Sequence, residues 1–421
     1  MKNVVVTGLG FITSIGNDKT EVLDSLINLK NGIELYPDFQ DEKIPVKCAG
    51  TVKHFQTKGT DPEDWVWPKD LYPIKREVLR GFAPHVLYAY CAVSQALKDA
   101  NLSPDDIANN LDTGMYTASA GSAGMLYAHM QRMDKFGVLR CPPMGVVSSI
   151  VGTLSYNLVS AYKIKGASCG FASACASSTH ALGFAYDEIA SGRQKRMLVV
   201  GGEDGDFRTI LPFAGMRALS MNKDPMTASR PFDKKRDGFV GTAGATCMII
   251  EEEEFAKQRN APVYAKVSGF GQASDGYNVA IPHPEGEGLV NAINRALLSA
   301  NTKPEEIGYI NAHATSTPIG DAAELKAIRK VFGENTTAYI SSTKAITGHG
   351  LSLAGVMEAA FCALSLKENI VPGSAHITEM DDCAKGLNIP QQTLINTPVK
   401  KMMSLSSGFG GANAVVVLEH A

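Results

Sequence analysis

Short apolar runs predict buried strands along the whole chain. They lie at residues 3–7, 113–118, 197–200, 247–250, 263–270, 307–312, near 339 and at 414–419. Between them, segments that are apolar on one face or nearly all round predict helices at residues 86–100, 288–300, from 321 onward and 353–366. Strands that alternate with helices are typical of α/β layers with mainly parallel sheets, and this is the predicted fold class.

The alternation restarts after Pro262, where a new apolar strand begins. We therefore place a boundary near residue 258 and predict two domains, residues 1–258 and 259–421. Four acidic residues, 251–254, follow the last strand of the first domain. We interpret them as the solvated start of a helix, where the helix dipole favours negative charge.

Composition excludes several classes of function. Of the 421 residues, 44% are hydrophobic and 20% are charged, which is typical of a globular protein. The net charge of -3 gives no basic surplus, so no nucleic-acid partner is predicted. The chain has no apolar stretch of the roughly 18 or more residues that a membrane-spanning helix needs, so we predict no membrane span.

Cysteine and glycine patterns make metal and nucleotide sites improbable. The eight cysteines include no CxxC pair, and no secretory signal opens the chain, so we predict free thiols in the cytoplasm. Gly8-Leu9-Gly10 forms a glycine-rich turn after the first strand. It lacks the third glycine of a dinucleotide fingerprint, because Thr13 stands there, and a nucleotide site is not predicted.

Cys175 lies in a run of small residues, and a helical pattern follows it as far as Ile189. The run predicts a sharp turn from a strand into a helix, with Cys175 at the helix N-terminus. The helix dipole there favours a thiolate and lowers the pKa of the thiol. Taken alone, such a residue is more often a small cysteine packed between two elements.

Two further loops follow predicted strands and precede predicted helices. The first carries His313 and leads into a helix that starts at Asp321; the second carries Lys344 and His349. Active residues collect at the carboxyl ends of strands in α/β sheets, although either histidine alone could be a core residue. Glu358 lies in a helix that is otherwise apolar, so we expect it to be buried and paired, with Lys344 as a candidate partner.

A glycine-rich loop, residues 407–413, surrounds Phe409 before the last strand, and its backbone N–H groups could line an oxyanion hole. One cysteine and two histidines on separate strand–loop–helix units favour acyl transfer by attack of the thiolate on a thioester. A cysteine protease remains an alternative from these residues alone, but it would not explain two histidine loops.

Together, these motifs resemble the β-ketoacyl-acyl carrier protein synthases, the elongating branch of the thiolase-like condensing enzymes. The resemblance runs from Val4-Val5-Val6-Thr7-Gly8-Leu9-Gly10 to the last strand and includes Gly201-Gly202-Glu203 and Arg230-Pro231-Phe232-Asp233. It implies a thiolase-like five-layer αβαβα fold built of two similar halves. It also implies a Cys-His-His triad with a supporting pair, formed by Cys175, His313, His349, Lys344 and Glu358.

The resemblance carries roles to further positions. Thr315 and Thr317 match residues that contact the pantetheine arm of the carrier. Phe409 matches a gating phenylalanine whose backbone N–H joins that of Cys175 in the oxyanion hole. Ser122 and Ser407 stand where the family has bulky side chains, so we expect them to widen the acyl pocket.

The implied activity is that of a 3-oxoacyl-[acyl-carrier-protein] synthase, which condenses a Cys-bound acyl group with malonyl-acyl carrier protein in fatty acid, polyene or polyketide biosynthesis. The resemblance implies no metal and no organic cofactor. The implied partners are acyl carrier protein and a second subunit, in a homodimer or in a heterodimer with a related chain. Basic side chains are expected around the entrance, with these candidates: Arg132, Lys135, Arg208 and Arg217.

Three alternatives remain at this stage. A non-catalytic, chain-length-setting partner subunit would lack the nucleophile, whereas Cys175 is present. A CoA-dependent thiolase would need a second cysteine near the C-terminus, and no cysteine follows Cys383. A cysteine hydrolase would release a free acid instead of condensing two chains.

Overall fold

The computed structural model describes residues 1–421. Its strands are β1 (Val4–Ile12), β2 (Ile33–Leu35), β3 (Cys48–Gly50), β4 (Thr113–Ala118), β5 (Ser168–Phe171), β6 (Arg196–Glu203), β7 (Gly244–Glu252), β8 (Ala265–Ser274), β9 (Tyr309–Asn311), β10 (Tyr339–Ser341), β11 (Lys401–Gly408) and β12 (Ala412–Glu419). Its helices are α1 (Lys19–Asn28), α2 (Arg76–Leu79), α3 (Pro84–Asp99), α4 (Ala123–Phe136), α5 (Thr153–Ala161), α6 (Ser177–Ala190), α7 (Phe207–Ile210), α8 (Glu253–Gln258), α9 (Glu287–Ser299), α10 (Pro318–Phe332), α11 (Lys344–Thr347) and α12 (Ala354–Glu368).

The strand order is the same in the two halves of the chain. The first half forms a sheet in the order β5-β4-β6-β7-β1, and the second half repeats it as β10-β9-β11-β12-β8. In each half three strands are parallel and the last two are antiparallel to their neighbours. The halves meet where β1 pairs with β8 over three residues. The repeat supports the proposed division near residue 258.

Helices lie on both faces of each sheet and between the sheets. Helices α6 and α12 contact each other and strands of both halves, so they form a middle layer. Helices α3 and α5 cover the outer face of the first sheet, and α9, with α10 against it, covers that of the second. The predicted five-layer αβαβα arrangement is therefore confirmed.

One helix of the middle layer, α12, has no polar face. From Ala354 to Leu366, every residue of α12 is buried, which follows from an apolar pattern all round the helix. The two helices approach closely at Gly355, where an added Cβ would lie 2.7 Å from the backbone nitrogen of Thr179. Because only glycine fits at position 355, this residue sets how closely α6 and α12 pack.

The structure corrects two expectations for the first half. Gly8 and Gly10 lie inside β1 and form no turn; an added Cβ at Gly10 would lie 1.9 Å from the carbonyl oxygen of Ala92, so these glycines let α3 pack on the strand. Glu251 is not a solvated helix residue. It is fully buried in β7, where Arg196 Nε donates to it at 2.8 Å and Arg259 binds its other side.

No helix of the structure combines the length and the apolar character needed to cross a bilayer.

We expect Gly355→Ala to destabilise the protein, because the added methyl group must push α12 away from α6. Overpacking of this kind typically lowers the free energy of unfolding by about 1–3 kcal/mol. Thermal or urea unfolding measures the loss, and Gly215→Ala, which adds a methyl group in open space at a residue without a positive φ, is the matched glycine control. An unchanged free energy of unfolding in Gly355→Ala would contradict the close approach.

Candidate active site

Cys175 lies in a tight turn between β5 and α6. Ala174 adopts the left-handed conformation, with φ of 50°, so the chain reverses just before the cysteine. Ser177 holds the turn from the other side, because its hydroxyl accepts the N–H of Ser173 at 2.8 Å and donates to the carbonyl of Ala174 at 2.6 Å. The turn leaves the Cys175 side chain partly exposed.

The two predicted histidines lie beside this thiol. His349 Nε2 is 3.0 Å from Cys175 Sγ, and the His313 ring stands almost perpendicular to that of His349, with ring centres 5.3 Å apart. One side-chain donor atom from each of the three residues lies within 4.8 Å of the others. Three segments far apart in sequence are thus brought to a single point, as the resemblance implied.

Glu324 holds the His313 loop and was not recognised as a site residue from the sequence. Its carboxylate accepts the backbone N–H groups of His313 at 2.6 Å and of Ala314 at 2.7 Å, and burial raises its pKa to about 8. The helix that carries it begins at Pro318, and not at Asp321 as expected. Asp321 forms a buried ion pair with Arg236. Both acidic residues after the loop, Asp321 and Glu324, are therefore buried and hold the local structure.

Lys344 and Glu358 form a buried ion pair beneath the histidines. Burial raises the pKa of Glu358 to about 7, although the positive charge of Lys344 stabilises the carboxylate and acts to lower that pKa. Removing either partner would leave an unpaired charge in the core, which proteins tolerate poorly. The pair therefore places a fixed ammonium group close to the reacting side chains.

Burial sets the protonation of the triad. It lowers the pKa of both His313 and His349 well below the usual range, and the nearby charge of Lys344 lowers it further. Burial also raises the pKa of the Cys175 thiol to about 12. The expected lowering by the helix dipole does not prevail, because loss of water around the sulfur outweighs it. The resting site is thus a neutral thiol beside two neutral imidazoles.

The glycine-rich loop lies directly against Cys175. A Cβ added to Gly408 would lie 3.0 Å from the Cys175 nitrogen, so only glycine allows this approach. Gly410 and Gly411 follow with φ of 77° and 71°. The Phe409 ring is 40% exposed and packs 5.8 Å from the Phe213 ring at the edge of the site. The backbone of this loop can therefore face an oxygen atom bound next to the cysteine sulfur.

Ser407 connects this loop to the neighbouring strand. Its hydroxyl donates to Asn413 Oδ1 at 2.7 Å, and Asn413 Nδ2 donates to Asp275 Oδ1 at 2.8 Å. The carboxylate of Asp275 also accepts the N–H of His283 at 2.9 Å. A phenylalanine at position 407 could not make the hydrogen bond to Asn413. The serine thus provides both space and a hydrogen bond that holds the loop.

A cavity of about 510 Å³ opens onto the triad. The site residues that line it are Cys175, His313, Thr315, Thr317, His349, Ser407 and Phe409. The hydroxyls of Thr315 and Thr317 lie 3.2 Å apart on one wall. Lys344 and Glu358 lie behind the wall.

Ser122 does not line this cavity. It precedes α4, where its hydroxyl donates to Asp204 at 2.6 Å and accepts the N–H of Met125. The cavity in this chain therefore gives no support to a role for Ser122 in acyl binding. Among the basic candidates, Arg217 lines the cavity, whereas the Arg208 guanidinium packs over Tyr127 outside it.

Sequence and structure comparisons identify the family. The family model described as "Beta-ketoacyl synthase, N-terminal domain" matches residues 1–256, and "Beta-ketoacyl synthase, C-terminal domain" matches residues 264–378. The chain belongs to the β-ketoacyl synthase family. Its five-layer architecture is accordingly the thiolase-like fold that the resemblance implied.

Individual relatives cover the chain from end to end. The "3-oxoacyl-[acyl-carrier-protein] synthase 1" of Haemophilus influenzae is 37% identical over 422 residues, which is 100% of this chain and 99% of the relative. A β-ketoacyl synthase from Burkholderia phymatum superimposes with a TM-score of 0.90 at 30% identity over all of both chains. A type II polyketide ketosynthase, solved with its acyl-carrier protein and a hexaketide, superimposes with a TM-score of 0.89 at 27% identity over 100% of this chain and 99% of that chain.

We expect the rate of Cys175 alkylation by iodoacetamide in the free protein to rise about tenfold per pH unit between roughly pH 7 and 9. The reason is that the thiolate fraction grows tenfold per unit far below a pKa of about 12. Peptide-level mass spectrometry follows the label at Cys175 separately from the other cysteines. A rate independent of pH over this range would show a preformed thiolate–imidazolium pair and contradict the neutral resting site.

Proposed function

We propose that this protein is a 3-oxoacyl-[acyl-carrier-protein] synthase that performs a decarboxylative Claisen condensation. The observation that supports it most directly is the Cys175 sulfur 3.0 Å from His349, with His313 beside it at the end of a cavity. Acylation needs a nucleophile with a base in reach, and decarboxylation needs hydrogen-bond donors at a thioester oxygen. Both requirements are met by the same three side chains.

In the first half-reaction, Cys175 Sγ attacks the carbonyl carbon of an acyl thioester, and the thiol of the carrier leaves. His349 Nε2 is the base within reach of the thiol proton, which passes to the departing thiolate. The oxyanion accepts hydrogen bonds from the backbone N–H groups of Cys175 and Phe409, which the approach of Gly408 to the cysteine brings together. The acyl group is then bound to Cys175 as a thioester.

In the second half-reaction, malonyl-carrier enters along the wall formed by Thr315 and Thr317. Neutral His313 and His349 donate hydrogen bonds to its thioester oxygen, so the electrons released as CO₂ leaves are held as an enolate. The enolate carbon attacks the acyl carbon on Cys175, a C–C bond forms, and the C–S bond breaks to leave a Cys175 thiolate, which takes up a proton from solvent. The products are a 3-oxoacyl-carrier and a free Cys175, and loss of CO₂ replaces any need for a metal or organic cofactor.

The rival functions fit this site less well. A thiolase needs a second cysteine as base, and Cys175 is the one cysteine among the cavity-lining residues. A hydrolase would release a free acid, and it would not need the second histidine that stands beside His349. A non-catalytic partner subunit would not need an intact triad. These observations favour condensation by this chain itself.

Assembly with a second subunit would cover an unpaired sheet edge. Strand β5 bonds only to β4, and its first three residues are exposed, so its outer backbone groups are free to pair. Helices α5 and α6 contact β5 and carry exposed apolar side chains, as do α4 and the segment after it. These side chains are Tyr127, Met130, Phe136, Val138, Leu139, Tyr156 and Phe184. We propose a homodimer or a heterodimer with a related chain, joined along β5.

The acyl substrate is proposed to be long, branched or unsaturated, because Ser407 leaves room where the family has a bulky side chain. The pathway served can be fatty acid, polyene or polyketide synthesis. All eight cysteines are unpaired, which fits a reducing compartment, and we propose the cytoplasm.

Cys175→Ala is expected to abolish self-acylation by acyl-carrier protein while leaving the fold intact, because it removes one sulfur atom from a turn built of small residues. Intact-mass spectrometry after incubation with a panel of acyl-carriers detects the adduct and names the preferred acyl group. Cys383→Ser, a partly exposed cysteine that follows α12 and does not line the cavity, is the matched control and should acylate normally. An acyl adduct on another cysteine of Cys175→Ala would refute the assignment.

Binding of the acidic acyl carrier protein is expected to depend on Arg217 at the cavity. Arg217→Glu should weaken it roughly threefold to tenfold at low salt, and less at physiological salt, where the charges are screened. Arg193→Glu, beyond the opposite end of α6 from Cys175, is the matched charge reversal and should bind normally. Titration of labelled carrier at several ionic strengths measures this, and equal effects of both variants would argue against docking at Arg217.

A further inference from the structure

The triad is also an arrangement of metal ligands. A thiol sulfur and two imidazole nitrogens lie within 4.8 Å of one another, with Cys175 Sγ and His349 Nε2 only 3.0 Å apart. In a tetrahedral zinc site the Zn–S and Zn–N bonds place neighbouring ligand atoms about 3.5 Å apart. Shifts of about 1 Å in the side chains would therefore give the three ligand atoms the spacing of a tetrahedral zinc site.

The surroundings leave a fourth position open. The three residues lie at one end of a cavity of about 510 Å³ that reaches the surface, so a solvent molecule can complete the tetrahedron. Three protein ligands with one open position is the arrangement of accessible zinc sites, in contrast to the closed four-ligand structural sites. No CxxC pair is required, because the ligands come from three separate loops.

The charges at the site also permit a cation. An imidazole nitrogen with a free lone pair can bind a metal, and one ring nitrogen of each histidine lies within 4.8 Å of the Cys175 sulfur. Nδ1 of His313 has no hydrogen-bond partner in the protein, so the ring can rotate without breaking one. The nearby positive charge of Lys344 is paired with Glu358, which reduces its repulsion of a bound cation.

We propose that Cys175, His313 and His349 bind a zinc-type divalent cation, which acts as a reversible inhibitor of the protein. On binding, the Cys175 S–H bond breaks, the proton passes to solvent, and an S–Zn bond forms without any change of oxidation state. Nitrogen atoms of the two histidines and one water molecule complete the coordination. The metal and an acyl group compete for the same sulfur atom, so the acylated protein cannot bind the metal in this way.

Titration of the full-length protein with Co²⁺ tests this, because tetrahedral cobalt–thiolate sites absorb strongly in the visible and near-ultraviolet. We expect one equivalent to bind with a sulfur-to-cobalt band, and Zn²⁺ to displace it. Cys175→Ser should lose that band. His313→Ala should bind Co²⁺ at least about tenfold more weakly, because loss of even a residue that only contacts a metal ligand lowers metal affinity by that factor. Cys383→Ser is the cysteine control and should titrate as the unchanged protein does.

Chemical modification of Cys175 is a second way to block the site, and it leaves the rest of the sequence unchanged. Protein alkylated at Cys175 by iodoacetamide, or acylated there, should give no sulfur-to-cobalt band. Retention of the band in Cys175→Ser or in alkylated protein would overturn the proposal, and so would the absence of a band in protein whose Cys175 alkylates normally. The readout is optical and independent of condensation: protein that binds cobalt but does not condense contradicts only the proposed function, and the converse contradicts only the metal site.

Discussion

The close packing of α6 on α12 is the constraint on which the site depends. Cys175 sits two residues before the first residue of α6, and Glu358 lies inside α12. The contact of Gly355 with the backbone at Thr179 sets the separation of the two helices. Through that contact the nucleophile of one half is held at a fixed place relative to the ion pair of the other half, and the histidine loops then close the site from the second sheet.

Desolvation is the second organising effect. The same burial that packs the middle layer removes water from the thiol, the two imidazoles and Glu358. It raises the pKa of the thiol and of Glu358 and lowers the pKa of both histidines, so each shift favours the neutral form. Neutral imidazoles can donate hydrogen bonds to a developing enolate without first losing a proton. The site therefore holds no preformed thiolate, but its two histidines stay neutral hydrogen-bond donors over a wide pH range.

Much of this could be predicted from the sequence because its signals are local. Apolar runs identified the strands, small residues identified the turn at Cys175, and an apolar helix with one acid identified the burial of Glu358. Glu324 was missed because its partners are backbone N–H groups, which carry no sequence signal. Glu251 was misread because its two arginine partners are brought to it by other elements, and Ser122 was assigned to a cavity whose shape only the tertiary structure defines.

The shared middle layer has a consequence for how the chain folds. Helix α6 belongs to the first half of the sequence, yet it also packs on β8 and β12 from the second half. Neither half can bury its inner face alone, and the contacts that do so join residues more than a hundred positions apart, as between Ser178 and Val356. Pairings so distant in sequence slow folding. During synthesis on the ribosome, the first half must wait with an apolar surface uncovered until the second emerges.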